Sequence, residues 1–374
     1  TSSDIQLSGT LIALNVVLSA PREMAEFAVR AKQLSRTYVI FTSTTTVLTT
    51  ALTAGLAIFY HAGAVAVFAS AVIANAVMSV VGLWLVRENL RLDGFSRPEL
   101  RRALRFGIPG VPAVLADWIM QFSDRLFITR FASLAQAGVY SLGYRIGLIE
   151  QQVLGTATSA AWDPFVLSEY RNPDGTKTIG RVATYFAIIG MALVVFISSS
   201  APVLLSVIHA RQEYFAATSV VFLIAFANFF ATLQHMLSAP TAIRLRPELG
   251  TMYRGIGAAV NIVLNFALIP TFGMLGAAWS TVATYVITAL ITLVVSRRVM
   301  KIDYEYRKLL LIVVGGVVVQ IVISLAQGSS VRALIVTSPI WSLALLAAWL
   351  VATNAFSMGE ARSLARRLRQ VVAT

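Results

Sequence analysis

Residues 182–208 read VATYFAIIGMALVVFISSSAPVLLSVI, a stretch without a charged side chain. Basic residues bound it, Arg181 directly before it and Arg211 shortly after it. Because an α-helix rises about 1.5 Å per residue, a stretch of this length crosses the hydrocarbon core of a bilayer, which is about 30 Å thick. The stretch predicts a membrane-spanning helix, and the fold depends on how often this pattern recurs.

The pattern recurs along the whole chain. Hydrophobic residues make up 57% of the 374 residues and charged residues 13%, whereas about 25% of a soluble domain is charged. An ordinary soluble protein is therefore excluded, and we predict an all-α, polytopic membrane protein with about 11 transmembrane helices. The predicted spans are residues 5–20, 37–60, 64–86, 107–129, 134–160, 182–208, 214–238, 254–269, 273–296, 309–326 and 332–353.

Basic residues are concentrated in every second connection between these spans. Those connections contain 25 of the 30 lysines and arginines, and cytoplasmic loops are the ones enriched in such residues. We therefore predict a cytoplasmic C-terminus and a chain that starts on the outer face. The net charge of +13 is then a sign of topology, and we expect no nucleic-acid partner. The basic connections are residues 22–36, 87–105, 171–181, 244–254, 297–308 and 362–369.

The residue types for thiol chemistry and for a histidine or cysteine metal site are missing or scattered. The sequence has no cysteine, and its three histidines (His61, His209 and His235) are far apart, so we expect neither a metal site nor a cofactor. It has no glycine-rich phosphate loop, which argues against ATP as a direct fuel. The outer connections are also too short to house an active site. We predict that the protein is not an enzyme.

An internal repeat predicts two related lobes. Residues 57–87 align with residues 267–297, with Gly63 opposite Gly273 at an offset of 210 residues. Generic helical hairpins could produce the same match; if the repeat is real, it is the parallel kind found in transporters. Because an odd number of spans begins on the outer face, we also expect upstream helices to be missing. The predicted divisions are 1–86 (remainder of the N-terminal lobe, three helices), 87–105 (cytoplasmic linker), 106–300 (C-terminal lobe, six helices), 301–353 (two additional helices) and 354–374 (basic amphipathic tail).

Several ionisable side chains lie inside the fourth and fifth spans, where they are costly and often functional. On the fourth span Asp117, Gln121 and Asp124 share one helix face, which requires a cavity or a partner helix. Asp117 and Arg145 fall at similar depth, so an ion pair between them is one expectation, and a purely structural pair is the alternative. The ionisable residues are Asp117, Asp124, Arg125, Arg145 and Glu150.

The sequence from residue 105 onwards resembles a known family. The motifs are RFGIPGVP at 105–112, FSDRLFI at 122–128, AGVYSLGYRI at 137–146, and the Trp162, Pro164 and Phe165 pattern. These resemble the seventh and eighth helices of Wzx-type polysaccharide flippases of the multidrug/oligosaccharidyl-lipid/polysaccharide exporter superfamily. The resemblance implies fourteen helices, in two six-helix lobes plus two C-terminal helices. The N-terminal three helices would then be lacking here. Further matches are Asn261, Asn265, Ile269-Pro270, Phe272-Gly273 and Gly276-Ala277-Ala278.

The resemblance implies translocation of an undecaprenyl-pyrophosphate-linked oligosaccharide from the cytoplasmic to the periplasmic leaflet of the bacterial inner membrane. Such flippases supply O-antigen, capsule or exopolysaccharide synthesis by alternating access, driven by a proton or sodium gradient. A polymerase and a chain-length regulator of the same pathway are further candidate partners, besides the lipid bilayer. We predict Arg145 and Arg125 as pyrophosphate contacts, Asp117, Asp124 and Glu150 as ion-coupling candidates, and Gln121, Asn261 and Asn265 as polar groups of the cavity.

Three alternatives stay open. A cation-coupled multidrug exporter of the same fold should have a more acidic and aromatic cavity, and Arg125 and Arg145 argue against it. A lipid II flippase is a second alternative within the fold. A membrane-embedded glycan polymerase or ligase belongs to a different class, and the lack of a long outer loop argues against it.

Overall fold

A computed structural model describes residues 2–32, 34–59, 63–87, 96–108, 111–244, 246–327 and 332–355. Within these ranges the ordered elements are all helical, which confirms the all-α prediction. Residues 88–95 of the predicted linker, His61 and the basic tail from residue 356 onwards lie outside the described residues. The helices are α1 (Ser2–Ala31), α2 (Ser35–Phe59), α3 (Gly63–Val86), α4 (Arg97–Gly107), α5 (Val111–Phe131), α6 (Leu134–Gly147), a π-turn (Gln151–Gly155), α7 (Thr156–Glu169), α8 (Gly175–Val207), a 3-10 turn (Gln212–Ala217), α9 (Thr218–Leu237), α10 (Ala239–Ile243), α11 (Pro247–Val299), α12 (Tyr306–Gln327) and α13 (Arg332–Ala352).

The chain forms two compact units, Thr1–Ala103 and Leu104–Thr374. In the first unit α3 packs against both α1 and α2. A Cβ atom added at Gly82 would lie 2.7 Å from the Cβ of Ala25, so glycine at this position permits the close approach of α3 to α1. The Nδ2 of Asn75 donates to the Oδ1 of Asn15 at 2.7 Å, a polar contact that joins α3 to α1 between apolar surfaces.

The second unit has a large apolar core. In this unit α9 and α5 both pack against α11, and α12 and α13 pack against α8. Trp162, Met191, Phe229 and Ile312 are among the fully buried side chains of this core. The predicted divisions within residues 106–353 stay predictions.

Within the described part of the chain, six helical segments are long and apolar enough to cross a membrane: Arg36–Phe59, Val65–Val86, Gly175–Val207, Gln212–Ile243, Glu248–Val299 and Tyr306–Gln327. Large apolar side chains such as Val17, Val80, Leu310 and Ile340 are exposed on the helix surfaces, as a lipid-facing surface requires. The molecule is therefore a multi-pass membrane protein. Helix α5 is not among these six segments, and it carries four charged residues, Asp117, Asp124, Arg125 and Arg130.

Gly273 divides α11 into two helices that run antiparallel. Its backbone has φ 55° and ψ −133°, within an otherwise helical segment. Residues on either side of it pair across the turn: a Cβ at Gly276 would lie 2.4 Å from the Leu268 carbonyl oxygen, and the Ser280 hydroxyl donates to the Asn261 carbonyl at 3.4 Å. The sequence predicted this hairpin as the two spans 254–269 and 273–296.

Replacing Gly273 by alanine should destabilise the second unit. Only glycine adopts this backbone conformation without strain, so Gly273→Ala should lower the free energy of unfolding by about 1–3 kcal/mol. The matched control is Gly255→Ala on the same helix, where an added Cβ meets nothing within 4 Å and alanine should be neutral or slightly stabilising. Denaturant titration of both variants in detergent measures the difference. Equal stabilities would contradict the assigned turn.

Cysteine labelling tests the predicted topology directly, because the natural chain contains no cysteine. Asp174 lies between α7 and α8 and Glu213 lies between α8 and α9, and their side chains are 78% and 65% exposed. A membrane-impermeant maleimide should label Asp174→Cys only from the cytoplasmic side and Glu213→Cys only from the outer side. The reverse pattern would overturn the orientation.

Candidate functional site

A buried carboxyl group organises the polar interior of the second unit. Asp124, on α5, is completely buried. Its Oδ2 accepts hydrogen bonds from the Tyr140 hydroxyl at 2.6 Å and the Thr281 hydroxyl at 3.0 Å, and its Oδ1 accepts one from Asn265 Nδ2 at 2.8 Å. Three helices therefore supply the partners of one carboxyl group.

Two further residues extend this cluster. The Ser123 hydroxyl donates to Asn261 Oδ1 at 2.9 Å, and Asn265 Nδ2 lies within 3.2 Å of the same hydroxyl and of Asn261 Oδ1. Both asparagines are fully buried. Asn261 Nδ2 and Asn265 Oδ1 have no hydrogen-bond partner among the described residues, so the cluster has unused donor and acceptor capacity. We call Ser123, Asp124, Tyr140, Asn261, Asn265 and Thr281 the Asp124 cluster.

Local sequence explains how the cluster assembles. Asn261 and Asn265 are four residues apart and so share one face of the first half of α11. The turn at Gly273 brings the second half back beside the first, which places Thr281 on the same carboxyl group. Helix α6 begins at the Ser133 cap, whose hydroxyl accepts the Gln136 amide at 3.1 Å, and it carries the tyrosine that completes the set.

The chemistry of the cluster suits a small monovalent cation. It offers carboxylate, amide and hydroxyl oxygens, which are the hard ligands that a proton or a hard metal ion such as Na⁺ prefers. Among the described residues, no group of three or more histidine, aspartate or glutamate side chains could hold a metal ion. The cluster thus differs from a transition-metal site.

The second predicted arginine is held beside this cluster by aromatic rings. The Arg125 guanidinium lies 4.4 Å from the ring centre of Tyr144, 5.3 Å from that of Phe122 and 5.9 Å from that of Tyr140. Its Nη1 also donates to the backbone carbonyl of Gln121. Stacking of this kind stabilises a cation that is partly removed from water.

A polar cavity of about 230 Å³ lies one to two helical turns from Asp124 in the same unit. Asp117 and Gln121 of α5 line it, together with Gln234, Arg254 and Thr288. Asp117 Oδ1 is 3.6 Å from Arg254 Nε. The expected pair of Asp117 with Arg145 is therefore wrong, because α5 packs this face against α11 and meets the arginine there.

The other two predicted residues occupy different surroundings. The Arg145 side chain is exposed, and no carboxylate among the described residues forms an ion pair with it. Glu150 is completely buried, and neither of its carboxyl oxygens has a hydrogen-bond partner in the described part of the chain. It directly precedes the π-turn Gln151–Gly155, an irregularity that often occurs at functional sites.

Four participants were not assigned a role from the sequence. Thr281 lies in an apolar run and carried no signal of its own. Tyr140 and Ser123 stood within the quoted family motifs but were not assigned a role, and Arg254 was counted only as a topology signal. The available indication for Thr281 was its position: it lies eight residues after the predicted turn at Gly273, and Asn265 lies eight residues before it.

A family model described as "Polysaccharide biosynthesis protein" matches residues 5–214, more than half of the chain. The chain belongs to this polysaccharide biosynthesis protein family. Over 230 residues it is 23% identical to an uncharacterized membrane protein of Methanocaldococcus jannaschii. That match covers 60% of this chain and 44% of the relative, so the chain spans less than half the length of this relative.

Two solved structures share the fold of this family member. One is the lipid II flippase MurJ in an inward closed conformation, with a TM-score of 0.68 and 12% identity over 91% of this chain and 71% of that chain. The other is a multidrug resistance MATE family transporter of the MOP superfamily in an outward-facing conformation. Its TM-score is 0.55 at 16% identity, over 74% of this chain and 66% of that chain.

Removing one donor from Asp124 should destabilise this family member measurably. Tyr140→Phe keeps the ring and deletes the hydroxyl, so a hydrogen bond to a charged group worth about 1.5–3 kcal/mol is lost. The matched control is Tyr144→Phe, whose hydroxyl has no hydrogen-bond partner among the described residues. Unfolding in detergent should separate the two variants. If they are equally stable, the bond from Tyr140 to Asp124 contributes nothing.

Proposed function

We propose that this protein is a flippase that moves an undecaprenyl-pyrophosphate-linked oligosaccharide across the bacterial inner membrane. Transport proceeds by alternating access and is coupled to a monovalent cation. The completely buried Asp124, whose hydrogen-bond donors among the described residues are all neutral, is the observation that supports coupled transport most directly. The substrate class rests on the polysaccharide biosynthesis family and on the motifs between residues 105 and 165.

A role in transport explains the presence of the buried Asp124 carboxyl group, which costs folding free energy, better than a purely structural role does. A carboxyl group at this depth is expensive for the fold, and such residues mark ion pathways and proton relays in membrane proteins. A structural pair would normally contain an oppositely charged partner. Asp124 instead has a tyrosine, an asparagine and a threonine, which leaves its charge available to a mobile cation.

The two arginines differ in their availability to substrate. Arg125 is already stacked on Tyr144 and bonded to its own helix. Arg145 is exposed and has no carboxylate partner in the described part of the chain, so its planar guanidinium is free to donate two hydrogen bonds to a pyrophosphate. We therefore assign the pyrophosphate contact to Arg145 and a supporting role to Arg125.

Reconstitution tests the proposal. The purified protein in proteoliposomes should translocate a fluorescent undecaprenyl-pyrophosphate oligosaccharide faster when a proton or sodium gradient is imposed. Arg145→Ala should reduce this transport at least about tenfold, since losing a bidentate contact to a charged group costs roughly 1.5–3 kcal/mol. Arg171→Ala is the control, because this exposed arginine lies in a loop beside Tyr170 and should leave transport unchanged.

Two competing substrates are measured in the same vesicles. Efflux of a cationic dye without lipid translocation would favour the multidrug exporter, and translocation of lipid II but not of the oligosaccharide lipid would favour a lipid II flippase. Normal transport by Arg145→Ala would refute the pyrophosphate role of Arg145 while leaving the flippase assignment in place.

A further inference from the structure

Helix α5 and the second half of α11 run antiparallel and carry polar residues in matched positions. One end of the match is the hydrogen bond from Thr281 to Asp124, at 3.0 Å. At the other end Asp117 and Thr288 line the same cavity. Asp117 and Asp124 are seven residues apart on α5, and Thr281 and Thr288 are seven residues apart on α11, which is about 10 Å along each helix. The matched pairs are Asp117 with Thr288, Gln121 with Thr284, and Asp124 with Thr281. We call these six residues the column.

The middle position of this column carries an unused hydroxyl group. Thr284 is 1% exposed, and its Oγ1 has no hydrogen-bond partner among the described residues. The neighbouring hydroxyls of Thr281 and Thr288 each bond to a carbonyl four residues earlier on their own helix. A buried hydroxyl without a partner costs about 1–3 kcal/mol, so a water or an ion at this position would remove that cost.

The cavity at one end of the column is lined by polar side chains that can hydrogen-bond to water. Its volume of about 230 Å³ has room for roughly seven water molecules at about 30 Å³ each. Its lining carboxylate is compensated, because Arg254 lies 3.6 Å from Asp117. Ser238 and Gly250 also line it, and Gly250 and Arg254 both belong to the basic connection 244–254.

We infer that this column is the path by which the coupling cation passes between Asp124 and the basic face of the second unit. The path runs from the Asp124 carboxyl group past the Thr284 hydroxyl and Gln121 to the polar cavity beside Asp117. No step requires the space between the two units. The inference rests on the proposed role of Asp124 in coupling, and it adds the route and the face to which that route leads.

Silver ions test the path, because Ag⁺ is a monovalent cation that reacts with thiols and the natural chain has no cysteine. Thr284→Cys and Thr288→Cys are nearly isosteric changes. Ag⁺ added from the basic face of sided vesicles should consume both thiols, measured as loss of maleimide labelling after denaturation. The matched control is Ala289→Cys, which is buried at the same depth but does not line the cavity. Its thiol should react at least about tenfold more slowly, since the reactive thiolate is disfavoured in apolar surroundings.

The labelling outcomes decide the path independently of transport. Reaction of Thr284→Cys at the rate of Ala289→Cys would overturn the inference, and so would reaction only from the opposite face. Loss of cation-dependent transport in Asp124→Asn tests the proposed function separately. If Asp124→Asn abolishes coupling but Thr284→Cys does not react, the route is wrong and the coupling role stands.

A second pair of variants links the path to transport rate. Thr284→Val keeps the volume and removes the hydroxyl, and should slow cation-dependent transport several-fold while leaving uncoupled substrate binding unchanged. Thr284→Ser restores a hydroxyl and should restore the rate. Equal rates for the valine and serine variants would refute a role for the hydroxyl, because a purely structural position would respond to volume and not to the polar group.

Discussion

The structure of the second unit depends on one constraint, the need to satisfy a carboxyl group that lies deep in an apolar environment. Among the described residues no cationic side chain bonds to Asp124, and its hydrogen bonds come from Tyr140, Asn265 and Thr281 on neighbouring helices. These bonds connect α5 to α6 and to both halves of α11. Packing of the apolar core and satisfaction of this one group therefore specify the same arrangement of helices.

The hairpin at Gly273 makes this arrangement achievable. A single helix offers a given carboxyl group donors from only one direction, whereas two antiparallel helices joined by a tight turn offer donors at the same depth from two. Asn265 precedes the turn and Thr281 follows it, and both bond to Asp124. The positive φ of Gly273 is thus the backbone condition for the cluster, although the glycine contacts none of its members.

The sequence predicted the helical class and the hairpin because both follow from local patterns of apolar and charged residues. It also predicted that Asp117, Gln121 and Asp124 share a face that needs a cavity or a partner helix. The structure contains both, with a cavity at Asp117 and a partner helix at Asp124. The partner of Asp117 could not be predicted, since the estimate of depth favoured Arg145 and only the packing of α5 against α11 selects Arg254. Thr281 was missed for the same reason, because its role depends on a contact with a residue distant in sequence.

The two aspartates on this face illustrate how partners decide the chemistry available to a carboxyl group. Asp117 is paired with Arg254 at a half-exposed position, so its negative charge is already compensated and a further cation gains little there. Asp124 accepts hydrogen bonds only from neutral donors among the described residues, so a bound cation would be the first positive charge in direct contact with it, in a medium of low dielectric where that attraction is strong. In the proposed mechanism Asp117, paired with Arg254, keeps the polar cavity hydrated and electrically neutral, and Asp124 binds the cation. Had Arg125 bonded to Asp124 instead of stacking on Tyr144, the binding position would have been permanently occupied by a side chain, and coupling to a mobile ion would have been lost.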